Sequence, residues 1–449
     1  MSETSPELAS NEHCACNTDT GTGCVTVHNH GPVTMHLHIN CCGGGCGSND
    51  DGDPVKDPVT DPIEPVIQAP LLARTSDAGE YYGLGFDPDN NLLAVGHLKT
   101  DTSYGLLDRY SADFSSGQRV RFSPAHVLVD VTADNSAIYT AGFDRTPAHL
   151  CGVWKLDHEM KLLESIRLPI DRIKRIIEHN DSIYTLSTDS ANSCSQIIQF
   201  NKALEIQASI KLNQKVDNGF ILDGQLCLHG YLSTIYLVES DLRAVRQIAV
   251  TGADEILNLS ADLDGGLWLI GNRGQITHVP NPFSESKSYQ LIDSEGNKIH
   301  SKFIAQDSLG ALWVFGSIGG YHTAIKLDSD LNTIAAWQDL GTTIAGTSPV
   351  LAIIDIQRSP LGNIGCAGYE LRLNDGVSAP HPIALNSAFL ESDNAESAFE
   401  RLDPSRFTLI PMDSSVEIST APFTELDLAV SDTEVTITVE AIDINPVTA

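Results

Sequence analysis

Two ten-residue stretches of the chain share one pattern. They read Asp262-Leu263-Asp264-Gly265-Gly266-Leu267-Trp268-Leu269-Ile270-Gly271 and Asp307-Ser308-Leu309-Gly310-Ala311-Leu312-Trp313-Val314-Phe315-Gly316. Each combines a turn rich in aspartate and glycine with an apolar strand that ends in glycine. Because glycine tolerates positive φ, these turns predict tight β-hairpins.

The apolar strand of this pattern occurs seven times. Its copies cover residues 92–96, 138–142, 183–187, 226–230, 267–271, 312–316 and 364–368. Their final residues are 46, 45, 43, 41, 45 and 52 positions apart, a period typical of four-stranded propeller blades. We therefore predict an all-β fold built on a seven-bladed β-propeller, with these strands at equivalent inner or middle positions. Two stacked β-sandwiches are the alternative, but strand, turn and closing residue all recur in phase.

The Asp-x-x-Gly-x-Leu-Trp character of residues 262–268 and 307–313 resembles the repeats of bacterial β-propellers, such as the two-component-regulator and quinoprotein-like families. The resemblance covers about residues 85–390, and it implies an architecture rather than an activity. Quinoprotein enzymes carry regular tryptophan docking motifs in their blades, whereas this chain has only four tryptophans. The resemblance therefore does not extend to a quinone cofactor.

Residues 1–47 form a separate module with two His-x-His pairs, His28/His30 and His36/His38. Side chains two apart on a strand point to one face, so each pair presents two imidazoles, and we predict a transition-metal site for iron or zinc. A two-residue turn at Gly31-Pro32 would place the pairs on opposite faces. A three-residue loop would instead pair His28 with His36 and bring all four together. The alternative without metal is a polar strand face rich in histidine.

The His-x-His pairs also resemble the stems and tips of trimeric phage tail fibres and spikes. In such trimers, three copies of one pair supply six nitrogens around an axis. The resemblance covers His28, His30, His36 and His38 alone. It implies a homotrimer that binds metal on its axis and joins a larger assembly through its N-terminus.

The same module holds six of the ten cysteines. They are Cys14, Cys16, Cys24, Cys41, Cys42 and Cys46. We predict disulfides within or between chains, because the Cys-x2-Cys spacing typical of structural zinc sites is missing. Thiolate ligation of zinc is the alternative. In both cases the bonds would staple a segment that is too short to hold a core.

The remaining boundaries follow from composition. Residues 48–70 contain Asp-Pro at 53–54, 57–58 and 61–62, which predicts an extended linker. We assign residues 71–392 to the propeller and residues 393–449 to a C-terminal β extension. Residues 407–411 and 433–439 alternate strictly. We expect this last stretch to supply the strand that closes the propeller, plus a short extension.

Charge and hydropathy restrict partners and location. The balance of 27 Lys and Arg against 59 Asp and Glu gives a formal net charge of -32, which repels phosphate backbones, so we expect no nucleic-acid partner. No run approaches the roughly 18 apolar residues that span a bilayer, so we expect no membrane insertion. Residues 1–11 lack the features of a Sec signal peptide. Since dense cysteine is typical of oxidising surroundings, we predict a virion, extracellular or cell-surface location.

The sequence shows no catalytic constellation. Nucleophile elbow, HExxH and phosphate-loop motifs are missing, and we interpret no recurring blade position as carrying an acid or histidine. His97 and His229 lie beside or within the repeated strands, where each could face the channel, although a structural role is favoured. The propeller cysteines are expected to be buried free thiols. They are Cys151, Cys194, Cys227 and Cys366.

Three functions remain open. The first is a fibre-like appendage of a virion, injection device or cell surface, whose propeller head binds a surface glycan or protein through loops at 341–348 and 359–363. The second is a secreted or surface scaffold that binds a protein partner on the propeller face. The third is a propeller hydrolase or lyase that acts on a surface polysaccharide. Fold alone does not distinguish these functions.

Overall fold

The computed structural model describes residues 24–29, 35–40, 72–74, 77–99, 103–112, 116–123, 126–145, 150–189, 191, 193–230, 233–252, 255–340, 351–374, 377–426 and 438–444. By its internal contacts the chain divides into two units, Met1–Pro65 and Val66–Ala449.

The first unit contains two antiparallel strands, β1 (Cys24–Asn29) and β2 (Met35–Asn40). Their register places His28 opposite His36 and Thr26 opposite His38. This backbone register is the one expected from the three-residue loop rather than from the two-residue turn. His30, the linker at 48–70 and all the cysteines of the module except Cys24 lie outside the described residues.

The second unit begins with β3 (Leu72–Arg74) and continues as seven sheets, the blades of a propeller. Blade 1 has β4 (Gly79–Phe86), β5 (Leu92–Leu98), β6 (Tyr104–Tyr110) and β7 (Gly117–Ser123). Blade 2 has β8 (His126–Ala133), β9 (Ile138–Asp144), β10 (Cys151–Leu156) and β11 (Leu162–Leu168). Blade 3 has β12 (Arg172–His179), β13 (Ser182–Asp189), β14 (Cys194–Asn201) and β15 (Ile206–Leu212).

The next three blades repeat this order. Blade 4 has β16 (Asn218–Leu222), β17 (Gln225–His229), β18 (Thr234–Val238) and β19 (Val245–Thr251). Blade 5 has β20 (Ile256–Ala261), β21 (Leu267–Gly271), β22 (Gln275–Val279) and β23 (Lys287–Asp293), with a 3-10 turn at Asn272–Gly274. Blade 6 has β24 (His300–Gln306), β25 (Leu312–Ile318), β26 (Tyr321–Leu327) and β27 (Thr333–Asp339).

Blade 7 closes the ring. It contains β28 (Leu351–Arg358), β29 (Ile364–Asn374) and β30 (Val377–Asn386), followed by α1 (Ser387–Leu390) and a 3-10 turn at Asp393–Ser397. Its fourth strand is β3, which pairs Ala73 with Ala384. The expectation that the C-terminal stretch closes the propeller is therefore wrong, because the N-terminal strand of this unit takes that edge.

The C-terminal residues instead form a belt of fifth strands. The belt contains β31 (Phe399–Leu402), a 3-10 turn at Pro404–Arg406, β32 (Phe407–Met412), β33 (Ser415–Thr420), β34 (Phe423–Glu425) and β35 (Thr438–Ile444). These strands pair antiparallel with the fourth strands of blades 6, 5, 4, 3 and 1, in that order. The belt thus runs backwards around the ring and covers strand edges that would otherwise be open to association.

The hydrophobic core is divided among the blade interfaces. Seven clusters of buried side chains each join two neighbouring blades, including the cluster of Tyr81 and Ala384 that joins blade 7 to blade 1. Since burial of apolar area is the main favourable term in folding, each blade is stabilised by both neighbours. The predicted seven-bladed propeller is confirmed.

The repeated apolar strands are the second strands of all seven blades, so their predicted equivalence is confirmed. The structure also explains the small residue at their ends. A Cβ added to Gly96 would lie 1.9 Å from the carbonyl oxygen of Glu80, and one added to Gly368 would lie 1.8 Å from that of Ala352. In both cases glycine lets the second strand approach the backbone of the first.

Candidate functional site

The first strands of neighbouring blades contact one another and line the centre of the ring. In every blade except blade 4, the pairing of the first strand with the second contains a β-bulge. The residue after the bulge is Asp130 in blade 2, Arg175 in blade 3 and Asp355 in blade 7. Bulges are common where a strand redirects a side chain, and these bulges bring three charged side chains together.

Arg175 connects four blades through this centre. Its Nη1 and Nη2 donate to the Asp355 carboxylate at 2.8 and 2.6 Å, and Nη1 also donates to Asp130 Oδ1 at 3.1 Å. Its Nε donates to Asn218 Oδ1 of blade 4 at 2.6 Å. Because the guanidinium is planar and presents five donors in a fixed fork, one side chain satisfies all three partners.

The two aspartates also bind backbone amides of the blades that follow them. Ile176 N donates to Asp130 Oδ2 at 2.8 Å, and Leu84 N donates to Asp355 Oδ2 at 3.1 Å. Both oxygens of each carboxylate thus have protein partners. Burial raises the pKa of Asp130, and Asp355 adds to this effect, while Arg175 opposes it. The cluster is a structural cross-link between blades.

Sequence reasoning missed this cluster, and the interpretation that no blade position repeatedly carries an acid is wrong. Asp130 and Asp355 occupy the same place in blades 2 and 7, and Asn258 occupies it in blade 5, where its Oδ1 accepts from Ile304 N at 3.2 Å. A signal was present, because these residues lie 12 or 13 positions before the final residue of the repeated strand.

A second candidate surface lies on the face where first strands turn into second strands. Three such turns, in blades 5, 6 and 7, each expose a leucine. Leu263 is 50% exposed, Leu309 is 71% exposed and Leu361 is 40% exposed. We call these three residues the leucine arc.

Direct contacts hold the turns of the leucine arc together. Leu263 N donates to Gln306 Oε1 at 2.9 Å, which joins blade 5 to blade 6. Ser308 N donates to the carbonyl oxygen of Gly362 at 3.0 Å, which joins blade 6 to blade 7. Leu361 N donates to Asn90 Oδ1 of blade 1 at 3.4 Å. The arc is therefore a continuous part of one face.

Aspartates inside these turns fix their shape. Asp262 Oδ1 accepts from Asp264 N and Gly266 N at 2.8 and 2.5 Å, and Asp307 Oδ1 accepts from Leu309 N at 3.0 Å. Asp307 Oδ2 also accepts from the indole of Trp313 at 2.9 Å. These local bonds are typical of Asx turns. They hold the leucines outward on short, ordered turns.

An open cleft of about 420 Å³ lies beside the arc, between the turns of blades 4 and 5. Leu222, Leu237 and Phe283 are the buried apolar residues of its lining. Asp223 and Glu239 supply exposed carboxylates at the same cleft. Arg246 also lines the cleft, so its lining combines apolar surface with two carboxylates and one cation.

The histidines predicted near the channel are buried. His97 stacks on Tyr82 with ring centroids 5.4 Å apart, and burial lowers the pKa of His97 to about 4. Burial, together with the positive charge of Arg175, lowers the pKa of His229 to about 3. Both imidazoles are therefore neutral at neutral pH, as the favoured structural role requires.

The remaining predicted residues divide into two groups. Cys151, Cys194, Cys227 and Cys366 are free and buried, as expected. The metal and disulfide residues of the N-terminal module stay predictions, because only the backbone of Cys24, His28, His36 and His38 is described. No group of metal-ligating side chains occurs in the part of the chain where side chains are described.

The proposed contact loops at 341–348 and 359–363 precede and follow β28 in the chain. The first lies outside the described residues, but its neighbours Asp339 and Leu351 meet at the start of β28, where Leu351 N donates to Asp339 Oδ2 at 3.1 Å. Ser359 follows the other end of β28. The loop at 359–363 contains Leu361 and joins β28 to β29, while a ligand contact at 341–348 stays a prediction.

Comparisons with known proteins add the following. No protein-family model and no curated protein matches the chain. Among solved structures, the WD40 β-propeller domain of Doa1 is similar with 12% identity and a TM-score of 0.49, over 71% of this chain and 96% of that one. YCF48 bound to D1 peptide is similar with 14% identity and a TM-score of 0.47, over 71% and 98%. YCF48 from Cyanidioschyzon merolae is similar with 9% identity and a TM-score of 0.46, over 71% and 98%.

No helix in the described parts of the chain is long and apolar enough to cross a membrane.

Proposed function

We propose that this protein is a propeller scaffold that binds a protein partner through the face that carries the leucine arc. The observation that carries the proposal is the exposure of Leu263, Leu309 and Leu361 on three consecutive, ordered turns. Single exposed leucines are ordinary, but a contiguous apolar patch on a soluble protein is typical of an interaction site. Because the net charge is -32, such a patch is conspicuous against the rest of the surface.

The face suits a macromolecule better than a small substrate. The leucines extend over three blades and stand on exposed turns, whereas small-molecule sites are concave and enclose most of the ligand. At the centre of the ring, Arg175 occupies the carboxylates that a hydrolase or lyase would use. The scaffold is thus preferred over the polysaccharide-degrading enzyme and over a glycan-binding head.

The test compares the three leucines of the arc with one leucine of similar exposure on another part of the propeller. Affinity capture from the cells that produce the protein, followed by measurement of binding between purified components, should identify a protein partner of the native chain. Changing Leu263, Leu309 and Leu361 to serine should weaken binding by roughly 100-fold, since each half-exposed leucine contributes about 1 kcal/mol when buried.

The control is Leu163→Ser. Leu163 is 51% exposed but lies on β11, in the outer strand of blade 2. Binding should be unchanged in this variant. Equal loss of binding in both variants, or none in the triple variant, contradicts the proposal.

A second candidate role concerns the N-terminal module, and the register that pairs His28 with His36 favours it. In this role the module binds iron or zinc and holds the chain as a trimeric anchor for a fibre-like appendage. Metal should copurify with the protein, and the variant with alanine at His28, His30, His36 and His38 should lose both the metal and the trimer. Elemental analysis and light scattering measure the two effects. A monomeric native protein without metal contradicts this role.

A further inference from the structure

Exposed carboxylates border the leucine arc on both sides. Asp264 lies next to Leu263 in the turn of blade 5, and Asp223 lies in the turn of blade 4. These two turns are adjacent, because a Cβ at Gly265 would lie 3.1 Å from Asp223 Oδ2. On the other side, Asp89 of blade 1 has an 82% exposed side chain and lies next to Asn90, which binds Leu361.

The turns between third and fourth strands end on the same face and add further acids. Exposed carboxylates there are Glu239, Asp241, Glu285 and Asp330. The exposed cations in and beside these turns of blades 4 and 5 are Arg243, Arg246 and Lys287. Arg109 Nη2 lies 3.9 Å from Asp89 Oδ2, and Lys326 and Arg358 lie near Asp307. Carboxylates outnumber cations around the arc even with these three included, and the local field is negative.

We infer that the segment bound on this face is basic and partly apolar, with lysine or arginine next to large apolar side chains. This inference rests on the proposed function and specifies the chemistry of the partner. Apolar side chains of the segment cover the leucine arc, and its cations lie against Asp89, Asp223 and Asp264. Complementary charge of this kind increases the association rate and excludes wrong partners.

The cleft between blades 4 and 5 fits the long side chain of such a segment. Lysine and arginine place their alkyl stems on apolar surface while the charged head stays in water. Here the stem would lie on Leu222, Leu237 and Phe283. The head would reach Asp223 and Glu239 at the exposed rim, where these two carboxylates outnumber Arg246. A second copy of this chain is a poor occupant, because it would bring a like charge of -32 to an acidic face.

The test uses the full chain and three synthetic peptide probes of equal length and leucine content. Their polar positions carry lysine, serine or glutamate, and binding is measured by fluorescence anisotropy at low and at high salt. The lysine peptide should bind most tightly, and its advantage should shrink at high salt because screening weakens exposed charge pairs. Asp89→Asn, Asp223→Asn and Asp264→Asn together should weaken its binding about tenfold.

A matched control distinguishes the effect of carboxylates beside the leucine arc from the effect of the net charge of the whole chain. Glu400→Gln, Glu417→Gln and Glu425→Gln change the net charge by the same amount on exposed positions of the belt, and binding of the lysine peptide should stay within about twofold of the native value. The leucine-to-serine triple variant should lose binding of all three peptides.

The outcomes also separate this inference from the proposed function. If the two charge variants weaken the lysine peptide equally, or if the serine peptide binds as tightly as the lysine peptide, the inference is wrong. The proposed function still stands in that case, provided that the captured partner depends on the leucine arc. If the leucine triple variant keeps both the peptide and the captured partner, both proposals fail.

Discussion

The guanidinium of Arg175 in blade 3 crosses the centre of the ring and donates two hydrogen bonds to the carboxylate of Asp355 in blade 7, at 2.8 and 2.6 Å. Blades 3 and 7 are not neighbours in the ring. The pair therefore connects blades that the apolar interfaces do not join directly, and it does so with a buried charge that Asp130 shares.

Breaking this pair should destabilise the propeller. Arg175→Met leaves Asp130 and Asp355 buried without a counter-charge, which should lower the free energy of unfolding by about 3–5 kcal/mol. Combining Arg175→Met with Asp355→Leu should recover part of this loss, since it removes one of the two buried carboxylates left without a counter-charge and leaves only Asp130. Chemical denaturation of both variants measures the effect. A double variant less stable than the single one would contradict this account of the centre.

The glycines that end the repeated strands should differ in how much stability is lost when alanine replaces them. Gly368→Ala places a Cβ 1.8 Å from the carbonyl oxygen of Ala352 and should lower the unfolding free energy by about 1–3 kcal/mol, because the two strands must separate. Gly271→Ala meets no atom closer than 3.4 Å and should change stability by less than about 0.5 kcal/mol. Thermal unfolding compares the two, and equal effects would show that close backbone approach is not the reason for the motif.

The belt should depend on a few buried anchors. Phe407 is 5% exposed and Ile410 is 46% exposed, although both lie on β32. Phe407→Ala should therefore lower the unfolding free energy by about 3–5 kcal/mol, while Ile410→Ala should have little effect. Similar losses for both would indicate that the belt is held by backbone pairing alone.

The buried imidazole of His229 makes stability depend on pH. Its folded pKa of about 3 lies below the unfolded value of about 6.5. The unfolded chain thus binds more protons between these values, so stability falls as the pH falls through this window, by up to about 1.4 kcal/mol per pH unit. His229→Gln should reduce that slope, whatever its effect on absolute stability. Denaturation curves at several pH values measure it, and an unchanged slope would contradict burial of a neutral imidazole.

The sequence allowed the blades to be predicted because the cause of the repeat is local. A glycine ends the repeated strand in six blades and Ser187 ends it in blade 3. In blades 1, 2, 6 and 7 this glycine meets the backbone of the first strand of its own blade, as Gly96 does with Glu80. Since four blades impose this requirement, a small residue recurs in phase along the chain. Seven copies could be aligned without any knowledge of tertiary contacts.

Strand partners were not predictable from the same pattern. Alternation at 407–411 indicates a strand, and β32 is one. It does not reveal that the partner is β23 of blade 5 rather than the open edge of blade 7. Any apolar, alternating strand can pair with any free edge, so chain order and length decide the outcome.

The two candidate sites were missed for different reasons. Asp130 and Arg175 lie 12 positions before the end of the repeated strand while Asp355 lies 13 before it, so a fixed-period alignment separates them. The leucines lie within the predicted hairpin turns. The turn pattern depends on glycine and aspartate, however, and does not predict the exposure of the leucine side chains. Only the structure shows that Leu263 and Leu309 remain exposed and that a hydrogen bond from Leu263 N to Gln306 joins their blades.

The central claim is that a protein partner covers the leucine arc, and site-specific photo-crosslinking tests it most directly. A photoreactive amino acid is placed at position 309 or, as the control, at position 163, and the protein is irradiated in the cells that produce it. We predict one major protein adduct from position 309 that disappears when Leu263 and Leu361 are changed to serine, and no such adduct from position 163. The same adducts from both positions, or none from position 309, would contradict the claim.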